Sequence, residues 1–133
     1  MIRYVLASIV SGVLFGIMDG IIHGNALAKR LYAIYESISK KSISIVAGII
    51  IDLAYGFIIA GVFLLLYKSL PGTSWFLKAL SFSLLIWFFR VVMHVATQWM
   101  MFTIPYQALL YTLGTGLLEM IILGLVCSVI LKR

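Results

Sequence analysis

The chain of 133 residues is 64% hydrophobic and only 11% charged, with a mean hydropathy of +1.18, whereas soluble domains carry charge on about a quarter of their residues. That balance excludes water as the main solvent, and at about 20 apolar residues per crossing the length allows roughly four or five membrane spans and no separate soluble domain. The single cysteine, Cys127, excludes an intrachain disulfide and any cysteine-based zinc or iron–sulfur site. The net charge of +6 falls mostly at the ends of apolar runs, where Lys and Arg meet lipid head groups, so it points to a bilayer partner and not to nucleic acid.

The first apolar run, from Tyr4 to about Gly24, follows Arg3 and lacks the A-x-A signal that closes a signal peptide, so it is expected as a retained first helix. Residues 25–42 place Leu27, Leu31, Ile34 or Tyr35, and Ile38 at helical spacing, with Lys29, Arg30, Glu36 and Lys40 elsewhere. This is the pattern of an interfacial amphipathic helix. Asn25 is its expected N-cap, and Glu36 with Lys40 its expected i,i+4 ion pair. The second run, residues 43–67, carries one charge, Asp52, and ends at Lys68 ahead of the turn signal Pro71-Gly72. A third helix is expected over residues 75–102, capped by Thr73 or Ser74. A fourth is expected over residues 105–131, with Thr103 as cap, Pro105 in its first turn, and Lys132 and Arg133 at its end. The short third connection makes helices three and four antiparallel neighbours. The fold class is therefore an all-α integral membrane protein: one domain, residues 1–133, forming a four-transmembrane-helix bundle with an amphipathic connector between helices one and two.

Orientation does not follow from charge. With four crossings, Arg3, Lys68, Lys78, Lys132 and Arg133 share one side, and Lys29, Arg30, Lys40 and Lys41 share the other, which is no positive-inside bias. The side bearing the first and third connections is called the connector side below. Ser8, Gly12, Gly16, Gly20 and Gly24 form a small-residue stripe at i,i+4 spacing on the first helix, with a shorter counterpart in Gly48, Gly56 and Ala60 and another in Thr112, Gly116, Gly124 and Ser128. Such stripes let helix backbones approach closely, so Gly12, Gly16 and Gly20 are expected at a helix contact within the chain or between copies. Trp75 with Tyr67, and Trp99 with Phe102 and Tyr106, fit the aromatic belts of the two membrane faces.

Every expected transmembrane helix carries at least one ionisable residue: Asp19 and His23 on the first, Asp52 on the second, Arg90 and His94 on the third, Glu119 on the fourth. A charge at the centre of such a helix costs about 2.5–3.5 kcal/mol, so these side chains are expected to face the bundle interior and to mark function. At about 1.5 Å per residue, Asp52, Arg90 and Glu119 lie near the midplane, which puts both carboxylates within reach of Arg90. Arg90, His94 and Gln98 are spaced i,i+4, as are Asp19 and His23, so a polar path from the midplane to the connector side is expected. Asp19, Asp52 and Glu119 outnumber Arg90 in charge, and the surplus must be met by protonation, by the histidines or by a bound cation.

Several functional classes are weak on these residues. Asp19 and His23 have a legitimate metal-ligand spacing, but two ligands are short of a site, and no metal is expected. A b-type haem on His23 and His94 is a third reading, weakened because their estimated depths differ by up to about two turns. No phosphate-binding loop, nucleophile elbow, H-E-x-x-H or Cys-x-x-Cys is present, so an enzyme is not favoured and no catalytic residue is assigned. The leading expectation is a small oligomeric transport or permeation protein in which Asp52, Arg90, His94, Glu119 and Asp19 relay a proton or gate a solute, with His23 and Gln98 on a secondary polar path. It needs no cofactor. Its partners are the lipid bilayer and either further copies or other membrane subunits. The rival is an accessory subunit of a larger membrane complex in which the same ion network is structural.

Overall fold

Short polar side chains decide where the helices begin. Asn25 Oδ1 accepts from the Ala28 N–H at 2.9 Å, Ser44 Oγ from Ala47 at 3.3 Å and Ser74 Oγ from Leu77 at 3.2 Å. Each satisfies a first-turn amide that has no partner inside its own helix. The computed structural model describes residues 1–131; Lys132 and Arg133, the basic pair expected to end the last helix, lie outside the described residues. The helices are α1 (Ile2–Gly24), α2 (Ala26–Leu31), α3 (Ile45–Leu66), α4 (Trp75–Trp87), α5 (Met93–Met101) and α6 (Tyr106–Leu131). A 3-10 turn follows α2 at Ala33–Tyr35, and a π-helical turn at Phe88–Val92 joins α4 and α5 into one rod. The described residues are all-helical, and α1, α3, the α4–α5 rod and α6 are each long and apolar enough to cross a membrane.

The turns follow the local chemistry. Gly72 has φ of +111°, the left-handed conformation that Gly adopts without the steric cost of a side chain, and it reverses the chain after Pro71. Lys78 reaches back so that its Nζ donates to the Tyr67 carbonyl at 2.8 Å and lies 4.3 Å above the Tyr67 ring, closing the C-terminus of α3. The connector departs from expectation. Its amphipathic period over residues 25–42 forms only the six residues of α2, and Glu36 and Lys40 make no ion pair with each other. Tyr32 ends that helix because its ring is drawn between His23 and Tyr111, with centroids 5.5 and 6.0 Å away. Tertiary packing thus overrides the local pattern.

α1 runs along both α3 and α6, and α6 packs against α4. Close approach of α1 and α3 is a backbone matter: a Cβ on Gly56 would run into the Ser8 carbonyl and the Gly12 backbone, and one on Gly12 would sit 2.8 Å from the Asp52 carbonyl. The contact stops short of the expected stripe, for Gly20, Gly24 and Gly48 meet nothing within 4 Å. Two straight helices that cross touch over a limited length, so α1 and α3 have separated by the level of Gly20.

The main apolar core lies at the end away from the connector. Phe63 and Phe82 meet edge to face at 4.9 Å, and Ala7, Ile59, Ala60, Cys127 and Leu131 close around them. Gly124 seats Ser83 against α6, and Ser128 Oγ donates to the Trp75 carbonyl at 2.8 Å. Nearer the middle, Phe15, Met120 and Leu123 form a second apolar layer.

Candidate functional site

Above that second layer, toward the connector, the filling changes from apolar side chains to polar ones around a cavity of about 340 Å³. Glu119 lies at its floor, 4% exposed, on the face of α6 that also carries Thr112, Thr115 and Gly116. Arg90 Nη1 donates to Glu119 Oε2 at 3.0 Å. The guanidinium carbon of Arg90 lies 4.6 Å from the Phe15 ring centre and 4.7 Å from that of Tyr55, two rings that stack at 4.7 Å. The cation is thus held by a carboxylate on one side and by aromatic faces on another.

Arg90 owes its position to the π-turn. Phe88–Val92 carries the i→i+5 hydrogen-bond pattern, an arrangement that recurs at functional sites because one extra residue re-aims the side chains beyond it. Gly116 makes room for this turn, since a Cβ there would sit 2.8 Å from a Val91 methyl. Arg90 and His94 both line the cavity, and Gln98 lies farther out.

The cavity continues into an outer chamber of about 660 Å³, which shares His23, Tyr32, His94 and Thr112 with it and is otherwise bounded by the connector and Gln98. Asp19 and His23 stand along this route, with His23 Nδ1 3.1 Å from Asp19 Oδ1 and both side chains about half exposed. Tyr32 marks the junction of the two chambers. Thr112 donates its hydroxyl hydrogen to the Ala108 carbonyl at 2.9 Å, so in the 2.6 Å contact with Tyr32 the phenol is the donor. Burial raises the Tyr32 phenol above its ordinary pKa and keeps it a neutral donor. Asn25 and Tyr111 hold this roof in place: Asn25 Nδ2 donates to Tyr111 Oη at 2.8 Å, and Tyr111 Oη donates to the Ile22 carbonyl at 2.7 Å.

The structure therefore brings Asp19, His23, Arg90, His94 and Glu119 to one cavity and adds Gln98 at its outer edge. It does not bring Asp52 there. Asp52 makes no ion pair among the described residues and lies in a separate groove between α1 and α3, its carboxylate against the Gly16 backbone. Equal depth put Asp52 within reach of Arg90, but its azimuth on α3 turns it toward α1. His23 and His94 line the same cavity. Among the described residues, no three His, Cys, Asp or Glu side chains are grouped to hold a metal. Tyr32, Tyr111, Thr112 and Thr115 are functional candidates that sequence reasoning missed, although Thr115 and Glu119 already stood i,i+4 on one helix. Comparison with protein families, with curated proteins and with solved structures finds no match to this chain.

Proposed function

We propose that the chain is an integral membrane four-helix bundle acting, in an oligomer, in the transport or permeation of a small solute, with proton linkage through Glu119. The single observation that supports this reading is a polar cavity that runs from the connector to the Arg90–Glu119 pair and ends against the apolar layer of Phe15, Met120 and Leu123. A polar recess of this depth inside an apolar bundle is costly unless it serves a ligand or a proton path. In this reading the Arg90–Glu119 pair is the gate, His94 and the Asp19–His23 pair flank the approach, and Gln98 lies at the outer mouth. Asp52, on the far side of α1, belongs to the periphery, where a second copy or a partner subunit packs. Such an assembly is needed because four helices alone enclose no complete path.

Protonation of Glu119 is set by the charges around it: Arg90 and His94 from the α4–α5 rod, Asp19 and His23 from α1, with the Tyr32 phenol above. Liposomes holding the purified protein are expected to show a proton flux that changes between about pH 5 and 8. Glu119→Gln should abolish it and His94→Phe should slow it. Flux equal to that of empty liposomes across that range, from correctly assembled protein, overturns the transport reading and leaves an accessory subunit with a structural ion pair. A Soret band in the purified protein would instead identify the cavity as a haem site on His23 and His94.

A further inference from the structure

The cavity holds one polar atom whose hydrogen bonding is unmet. Its fixed cation, Arg90, gives one N–H to Glu119 Oε2 and lies over the Phe15 and Tyr55 rings. His23 is engaged by Asp19. The hydroxyl hydrogens are engaged too: Thr112 gives its own to Ala108, Thr115 gives its own to the Tyr111 carbonyl at 2.7 Å, and Tyr32 gives its own to Thr112. His94 and the other Arg90 N–H groups keep donors, but the buried side-chain atom that lacks a partner among the described residues is an acceptor. Glu119 Oε1 is buried with no hydrogen-bond partner among the described residues, and the Thr115 oxygen, one turn away on the same helix face, keeps a lone pair. An unmet buried carboxylate oxygen is among the more costly polar groups to leave unsatisfied.

Charge points the same way. In the state with Asp19 and Glu119 ionised and both histidines neutral, the two carboxylates against Arg90 leave the cavity one negative charge in excess. A bound anion would worsen that imbalance, whereas a cation bearing N–H groups would cancel it and supply the donor that Glu119 Oε1 lacks. The volume of about 340 Å³ is at the small end of ligand sites and, at roughly 30 Å³ for each water-sized group, admits about ten non-hydrogen atoms.

We propose that this cavity is a binding site for a small primary ammonium solute, held by Glu119 Oε1 and Thr115 Oγ1 and neutralised by the excess carboxylate. The proposal rests on reading the cavity as a solute site. It is tested by binding to detergent-solubilised full-length protein, which needs no flux.

The probe is ethylammonium chloride, titrated by calorimetry, with sodium propionate and tetraethylammonium chloride as controls at matched ionic strength. Ethylammonium should bind saturably, propionate should not bind, and tetraethylammonium, which has charge but no N–H, should bind at least about tenfold more weakly. Thr115→Val should weaken ethylammonium about tenfold, and Glu119→Gln should remove binding. Thr115→Val loses its only cavity-facing acceptor without disturbing the ion pair, so it keeps the test open if Glu119→Gln fails to fold. Propionate binding, tetraethylammonium binding equal to ethylammonium, unchanged affinity in Thr115→Val, or no ethylammonium binding by folded protein would each overturn the proposal. Ethylammonium binding without flux in liposomes would leave the site standing and remove the transport reading; flux without binding would do the reverse.

Discussion

The two ends of the bundle are built from the same helices and use small residues on α6 in the same way, yet one end is filled and the other is hollow. At Gly124 the facing groups are Ser83 and the Ala79 carbonyl, and aromatic and aliphatic side chains pack around Phe63 and Phe82. At Gly116 the facing group is Val91, and the side chains that line the cavity beyond it include Glu119, Thr115, Thr112 and Arg90. Apolar side chains gain by interdigitating with any neighbour, while polar ones are tied to particular donors and acceptors. A cavity therefore opens where the rod turns π-helical and the lining turns polar.

Breaking the contact that both ends depend on should have the largest effect. Gly56→Leu forces a side chain into the Ser8 and Gly12 backbone, an obstacle that cannot yield as a core side chain does. Its cost is expected to exceed the about 1–3 kcal/mol usual for overpacking, seen as loss of folded protein on gel filtration. At the filled end, Phe82→Ala should lower stability by about 3–5 kcal/mol, measured by thermal unfolding in detergent. At the hollow end, Glu119→Gln keeps an acceptor for Arg90 but removes the charge, so a smaller loss of about 1.5–3 kcal/mol is expected in the same measurement. A Glu119→Gln loss as large as that of Phe82→Ala would mean that the hollow end is as tightly determined as the filled one. Tyr32→Phe should cost about 1 kcal/mol through its lost bond to Thr112, with faster amide hydrogen exchange confined to the connector. Gly20→Ala should change the unfolding midpoint least, within about 0.5 kcal/mol, because a Cβ there meets nothing. A large effect at Gly20 would place a second copy against that stretch of α1.

Helix positions were legible because their signals are local: Asn25 and Ser74 cap as their side chains suggest, and Pro71-Gly72 turns the chain where Gly alone fits. The Arg90–Glu119 pair was legible because rise per residue gives depth, and depth limits partners. Rotation about the helix axis was not legible. α3 is apolar on all sides, so nothing in its sequence says which face turns inward, and Asp52 was placed at the right height on the wrong side. The same gap hid the limit of the glycine stripe, since Gly20 looks like Gly12 until the crossing of α1 and α3 is known. Tyr32 was hidden for another reason: its partners Thr112 and Tyr111 are some eighty residues away, and no local pattern carries a contact of that range.

The π-turn at Phe88–Val92 has a consequence beyond the placement of Arg90. One residue more than an α-helix needs amounts to about 100° of rotation, so this turn sets the angular phase of everything on α5 relative to α4. With the turn in place, His94 and Gln98 stand in the same column as Arg90 and look onto the two chambers. A rod of uniform α-helix would still keep Arg90, His94 and Gln98 on one face by their i,i+4 spacing, yet it would turn that face to another flank relative to α4. The polar lining from connector to ion pair therefore depends on a single inserted residue, which works as an angular offset between two otherwise ordinary half-helices.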